Sequence, residues 1–212
     1  MSVREPTIQI VDDDESFLAA VSRLLRASGF AAKTFSSAGD LLAECDADVP
    51  GCVLADLQMP GMNGFDLQVA LSRTRNPLPI LFLTGHGDIP SSVRAMREGA
   101  VDFLEKRAPK EHLLDAVRRA LARDARDRAE RARLSELRAR FDTLTARELE
   151  VLSHVVRGRL NKQIAADLGI HERTVKLHRT AVTTKLGVQS VAELTQLSLD
   201  AGIFRGAAID LP

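Results

Sequence analysis

Two short apolar runs of this chain end in carboxylates, and that pairing narrows the possible folds sharply. Ile8-Gln9-Ile10-Val11 runs into Asp12-Asp13-Asp14, and Cys52-Val53-Leu54-Ala55 runs into Asp56. Short apolar runs bounded by polar residues read as buried parallel strands. In an open parallel sheet the carboxyl ends of the strands form the ligand crevice. Several carboxylates meeting there repel one another unless a cation sits between them. An all-oxygen donor set suits Mg²⁺, which takes one or two carboxylates, waters and a phosphate.

Two further runs complete the pattern. Ile80-Leu81-Phe82-Leu83 ends in Thr84, and Val101-Asp102-Phe103-Leu104 ends in Glu105-Lys106. A hydroxyl and an ammonium at neighbouring strand ends suit the phosphoryl oxygens that a metal leaves free. Any one of these residues alone reads as surface decoration; the set of four strand ends reads as a phosphoryl site.

Strands are expected near 7–11, 31–35, 52–55, 79–83 and 101–104, with helices near 15–28, 37–45, 64–75, 90–98 and 110–125. Strict alternation of strand and helix implies an α/β, doubly wound, five-stranded parallel sheet, covered on both faces by right-handed crossovers. Pro60-Gly61 and Asn63-Gly64 mark tight turns after Asp56. Asp14 has two readings, metal ligand or helix N-cap, because a helix begins at Ser16-Phe17.

Residues 5 to about 120 resemble the receiver domain of two-component response regulators. The resemblance rests on Val11-Asp12-Asp13-Asp14, on Asp56 through Gly64, on Thr84-Gly85-His86-Gly87-Asp88 and on Gly99 through Lys106. It is strongest with the NarL/FixJ family, the FixJ-like branch in particular. It implies a flavodoxin-like receiver in which Asp56 accepts a phosphoryl group from the histidine of a sensor kinase. It further implies Mg²⁺ held by Asp12, Asp13, Asp56 and the main-chain carbonyl of Gln58. Lys106 and Thr84 would hold the phosphoryl oxygens. Phe103 would turn into the space Thr84 vacates and repack the surface of the fourth helix, fifth strand and fifth helix. Gln58 and His86 flank the site and would set the lifetime of the phosphoryl group. One departure stands out: receivers usually carry proline directly after the lysine, often cis, whereas here Lys106 precedes Arg107-Ala108. A cis bond before Arg107 would cost about 2.5–4 kcal/mol, so either strain is tolerated or the loop is trans and repositions Lys106.

Net charge is zero but unevenly spread. Residues 1–122 carry −4, residues 123–140 carry +3 and residues 141–212 carry +1. An acidic front and a basic middle and back point to nucleic acid. Two cysteines, Cys45 and Cys52, are too few for a disulfide framework. No run approaches a membrane span and the N-terminus lacks a signal pattern, so a cytoplasmic protein with no membrane partner is expected. The absence of Trp and Tyr argues against base-stacking platforms.

Residues 111–140 contain no Gly or Pro and read as one helical stretch. Asp124/Arg128, Arg126/Glu130 and Asp127/Arg131 are opposite charges four apart, weak supports of a solvated helix. The stretch reads as a linker helix or, through its thin Leu/Ala stripe, as a coiled-coil-like dimer contact. Beyond it the pattern is all-α. Thr145-x-x-Glu148 is a capping box. Helices are expected near 146–157, 161–168, 172–186 and 190–201, with a turn holding Gly169 between the second and third. That is a helix-turn-helix pattern. Residues 157–185 hold seven basic and two acidic residues, as phosphate binding requires, although a solvated helix pair carries similar charges.

Residues 143–197 resemble the LuxR-type four-helix module, on Leu144 through Glu148, Val151-Leu152, Asn161 through Ala165, Leu168, Thr174 through His178 and Lys185-Leu186. The resemblance implies that Glu172–Leu186 enters the major groove of double-stranded DNA. Lys176, Leu177 and Thr180 would face base edges. Lys162, Thr174, His178, Arg179 and Lys185 would touch phosphates, with His178 alternatively a structural residue. The expected organisation is a receiver over 1–122, a helical linker over 123–140 and a DNA-binding domain over 141–212. The expected function is a phosphorylation-switched transcription regulator that dimerises on activation and turns over no external substrate. Two rivals are a receiver that serves only as a phosphate-independent interaction module and a haloacid-dehalogenase-type phosphatase. The second wants Asp-x-Asp, which Asp56-Leu57-Gln58 lacks.

Overall fold

The computed structural model describes residues 4–46, 48–85 and 88–204. The chain divides into two compact units, one running to Arg128 and one starting at Ala129. The first unit alternates β1 (Thr7–Val11), α1 (Glu15–Ala27), β2 (Ala31–Phe35), α2 (Ala38–Glu44), β3 (Gly51–Asp56), α3 (Gly64–Ser72), β4 (Ile80–Thr84), α4 (Ile89–Arg97) and β5 (Asp102–Glu105). It closes with the first part of α5 (Lys110–Phe141). All pairings are parallel, in the order β2-β1-β3-β4-β5. That is the doubly wound order whose chain reversal lies between β1 and β3.

Each strand alternates its side chains between two cores. Ile8, Ile10, Cys52, Leu54, Leu81 and Leu83 pack with Leu18, Val21 and Leu25 of α1 and Leu113, Ala116, Val117 and Ala120 of α5. Val53, Ala55, Ile80 and Phe82 pack with Leu41 of α2, Leu67 and Leu71 of α3 and Ala95 of α4. β3 is buried along its whole length, as a central parallel strand must be. Burial pushes the Cys52 thiol up to about 12, with the charge of Asp124 acting the same way. This cysteine is an inert core hydrophobe.

The register explains how the strand ends meet. Val11 pairs with Ala55, so Asp12 and Asp56 follow side by side. Asp56 pairs with Leu83, and Thr84 with Glu105, so Lys106 comes one residue past Thr84. Strand positions agree with the sequence pattern to within a residue or two. α3 is shorter than the periodicity predicts. It stops at Ser72 because the Thr74 N–H and hydroxyl both donate to the Leu71 carbonyl, turning the chain ahead of Pro77.

α5 is one 32-residue helix. Of the three charge pairs expected on it, Asp124/Arg128 forms, at 2.8 Å, but not as a solvated pair. Asp124 is 1 % exposed. It sits four residues after Ala120 in the buried stripe and accepts the Gly51 N–H at 2.9 Å. Arg128 donates onward to the carbonyls of Asp48 and Val49. The pair therefore clamps α5 to the turn that starts β3. Gly51 is required there, since a Cβ would lie 2.0 Å from the Thr7 carbonyl oxygen. Asp127 pairs with Arg123 at 3.6 Å rather than with Arg131.

The second unit continues with α6 (Ala146–Val156), α7 (Asn161–Leu168), α8 (Glu172–Leu186) and α9 (Val191–Asp200). Its core holds Phe141, Leu144, Val151, Leu152, Val155, Ile164, Val175, Val182, Leu186 and Leu194. Thr145 and Glu148 form the reciprocal capping box that opens α6. Gly169, at φ 65°, takes the left-handed conformation that closes α7 and turns the chain into α8.

Candidate active site and nucleic-acid interface

Four strand ends converge at the carboxyl edge of the sheet. Asp12 is buried and its Oδ1 accepts the Asp14 N–H at 3.0 Å. Asp14 Oδ1 in turn accepts from Ser16 and Phe17, so Asp14 is the N-cap of α1. Asp13 is exposed. Asp56, 7 % exposed, accepts the Gln58 N–H on Oδ1 and the Lys106 ammonium on Oδ2, at 3.3 and 3.0 Å. Lys106 Nζ also lies 2.6 Å from Asp12 Oδ2, so the ammonium is paired with both carboxylates.

The electrostatics follow from this crowding. Burial raises the Asp12 carboxyl above its usual value, and the charge of Asp56 pushes the same way against the attraction of Lys106. For Lys106, burial disfavours the ammonium, but hydrogen bonding and charge from Asp12 and Asp56 outweigh it and the net shift is upward. Oxygens of Asp12, Asp13 and Asp56 fall within 4.8 Å of one another. Three convergent carboxylates, two of them buried, form an all-oxygen donor set that fits a hard divalent cation such as Mg²⁺.

Thr84 is buried beside this cluster, and its carbonyl accepts the Lys106 backbone N–H at 2.8 Å. Among the described residues there is no cis peptide bond, so the Lys106–Arg107 bond is trans. Lys106 reaches Asp56 all the same. The missing proline therefore does not displace the lysine, because the backbone bond to Thr84 anchors its position. Gln58 is exposed two residues past Asp56. His86 lies outside the described residues. Phe103 is half-buried, with its ring 6.3 Å from that of Phe82, beside an open groove of about 400 Å³ between α4 and β5. Gly64 sits directly under the site: a Cβ there would lie 2.6 Å from the Asp56 carbonyl oxygen and 2.8 Å from the Phe82 ring.

Two contacts here were not legible in the sequence pattern. The Phe17 ring faces Lys106 Nζ at 4.6 Å. The Asp124 clamp reaches β3 from its other end. An acid inside the apolar stripe Leu113, Ala116, Val117, Ala120 was the available signal for the clamp; for Phe17 there was none.

In the second unit α8 buries Val175, Val182 and Leu186 and turns its other side to solvent. Lys176, Leu177 and Thr180 share that outer side, and Leu177 is 64 % exposed. An aliphatic side chain with that much open surface suits contact with a thymine methyl. Thr174, His178 and Arg179 are half-buried, and Lys162 on α7 is exposed. Arg179 donates to Asn161 Oδ1 at 2.6 Å, tying α8 to the start of α7. Lys185 is set apart from the others. Its ammonium donates to Glu148 Oε2 at 2.7 Å and to the Thr143 carbonyl at 3.1 Å, so it holds α8 against the start of α6.

Comparison with known proteins covers both units. Residues 8–118 match the response regulator receiver domain, and residues 142–198 match the bacterial regulatory proteins of the luxR family. The response regulator protein TodT of Pseudomonas putida is 42 % identical over 93 % of this chain and 87 % of its own length. The transcriptional regulatory protein FixJ of Rhizobium meliloti is 39 % identical over 92 % of this chain and 96 % of its own. The solved structure of the response regulator StyR, 43 % identical, superposes with a TM-score of 0.77 over 92 % of this chain and 98 % of its own.

Proposed function

Because this chain belongs to the NarL/FixJ family of two-component response regulators, a receiver followed by a LuxR-type DNA-binding domain, we propose that Asp56 is its phosphoacceptor and that the resulting charge switches binding to promoter DNA. The family is regulatory, not one of classical enzymes. That membership leaves no ground for the hydrolase reading. The observation that carries the proposal is the Lys106 ammonium bonded to Asp56 inside a cluster of three carboxylates.

In this reading an Asp56 oxygen attacks phosphorus on the phosphohistidine of a sensor kinase. The P–N bond breaks, an acyl phosphate forms and the histidine leaves. Asp12, Asp13, Asp56 and the Gln58 carbonyl would hold Mg²⁺, which offsets charge on the phosphoryl oxygens. Lys106 is a preorganised cation beside the same atoms. Thr84 donates its hydroxyl to the bound phosphoryl group, and Phe103 turns into the space Thr84 leaves. The groove beside Phe103 supports room for that motion. The outcome is a population shift between two packings of the α4–β5–α5 surface. Ile89, Val93 and Met96, all exposed on α4, support a homodimer through this surface. A dimer presents two α8 helices to successive major grooves. There Lys176, Leu177 and Thr180 read bases, while Lys162, Thr174, His178 and Arg179 meet phosphates. Lys185 contributes through its positive charge from within its bonds to α6.

The functional divisions we assign are a receiver over 1–122, a linker over 123–140 and a DNA-binding domain over 141–212, and the location we assign is cytoplasmic, a reading that the family supports. Among the described residues no helix is long and apolar enough to cross a membrane. The test is intact mass after acetyl phosphate and Mg²⁺. One added phosphoryl group on wild type and none on Asp56→Asn supports the reading. An equal gain on both variants moves the acceptor elsewhere.

A further inference from the structure

Lys106 reaches the carboxylate cluster from its loop on four flexible methylenes. Its ammonium has three sides to satisfy. Asp12 and Asp56 take two of them. The third faces the ring of Phe17, with Nζ 4.6 Å from the ring centroid. That is within the range at which the negative face of an aromatic ring attracts a cation. We propose that Phe17 is a positioning residue for phosphoryl transfer, its ring face holding the Lys106 ammonium between Asp12 and Asp56. The proposal rests on the reading of Asp56 as the acceptor.

Three observations support it. First, Phe17 is fixed by the same segment that builds the site. Asp14 accepts the Phe17 N–H at 3.1 Å while donating its own N–H to Asp12. Ring and carboxylate are therefore placed by one local structure. Second, Phe17 is half-buried at the mouth of a groove of about 340 Å³ between α1 and α5, where it shares the wall with Leu24, Leu83, Lys106 and Leu113. A residue needed for apolar volume alone would need no aromatic face turned to a charge. Third, the loop carries Arg107-Ala108 after the lysine, with a trans bond. Its backbone is held by the Lys106-to-Thr84 and Ala108-to-Glu105 bonds, which fix where the lysine starts but not where its ammonium ends. Phe17 supplies that second constraint.

The experiment compares full-length wild type, Phe17→Leu, Phe17→Tyr and Asp56→Asn. It reads the initial rate of mass gain from acetyl phosphate with Mg²⁺. Leu keeps apolar volume without an aromatic face; Tyr keeps the face. A second readout is the proton signal of the lysine ε-methylenes, assigned with Lys106→Arg among only six lysines. A ring above Lys106 moves its signal upfield. The expected result is an upfield Lys106 signal in wild type and Phe17→Tyr that is lost in Phe17→Leu. With it goes a rate loss of about 3- to 30-fold in Phe17→Leu and a near-wild-type rate in Phe17→Tyr. Equal rates in wild type and Phe17→Leu overturn the proposal. So does a slow Phe17→Leu whose thermal midpoint has collapsed while Phe17→Tyr, fully folded, is equally slow. If wild type gains no phosphoryl group, the acceptor reading falls and the positioning role falls with it. The Lys106 signal, read without any chemistry, then separates that failure from the absence of the ring contact.

Discussion

At the scale of single residues, the site works by crowding charges that the fold cannot separate. Asp12 is the clearest case. Burial and its neighbour Asp56 raise its pKa above the ordinary 3.8. Protons therefore compete with a metal at a higher pH than for an exposed aspartate. Mg²⁺ affinity, measured by calorimetry, is expected to weaken as pH falls through that raised value and to be complete well above it. Gly64 supports the same site by being small. Gly64→Ala would drive a Cβ into the Asp56 carbonyl and the Phe82 ring. A loss of about 1–3 kcal/mol in denaturant unfolding is expected, as for other overpacked positions, together with slower phosphorylation. In the second unit Glu148 bonds both Lys185 and the Thr145 N–H, and the Lys185 bond is the larger cause of its lowered pKa. A depressed carboxylate contributes stability above its unfolded value, here 4.5, and loses it as pH falls through the lower folded value. Glu148→Gln keeps an oxygen for the Thr145 N–H but loses the charge opposite Lys185, so it should remove that acid dependence and cost about 1 kcal/mol or less at neutral pH, the range of a partly exposed ion pair.

At the scale of elements, α5 is the piece whose role is most changed by seeing it folded. Its first half packs Leu113, Ala116, Val117 and Ala120 against the sheet, and Asp124 continues that stripe into the turn before β3. β3 starts at this clamp and ends at Asp56, so one fully buried strand joins α5 to the carboxylate cluster. Asp124→Ala leaves Arg128 and the Gly51 N–H without their shared acceptor. Losing one partner of a buried pair is expected to cost about 3 kcal/mol, visible as a lower urea midpoint. An unchanged midpoint would mean the clamp contributes nothing. The helices and strands themselves were legible because their signals are local. Short apolar runs, the Thr145 capping box and the Gly- and Pro-free stretch 111–140 are each read along contiguous chain. The clamp was not legible, because it depends on a turn some 70 residues earlier coming under α5. The end of α3 was missed for a different reason: the Thr74 side chain competes with the helix for the Leu71 carbonyl.

At the scale of the whole molecule, the candidate site was more readable than its supports. Asp12, Asp56, Thr84 and Lys106 stand at strand ends, and parallel register brings strand ends together without further information. The ring of Phe17 over Lys106 and the internal bonds of Lys185 were beyond reach, whereas the trans Lys106–Arg107 bond was one of the two readings open from the chain. The two contacts are decided by long-range packing that leaves no spacing in the chain. Two units joined through one long helix make a regulator only if charge placed on Asp56 alters what α8 does. That claim is tested most directly by affinity for the duplex best retained from a randomised DNA pool, measured with and without acetyl phosphate on wild type and Asp56→Asn. Wild type is expected to bind about tenfold tighter or more once phosphorylated, a typical coupling between sites, with Asp56→Asn unmoved. Wild type that carries the phosphoryl group yet binds with unchanged affinity would contradict the account and leave the receiver a module without control over DNA.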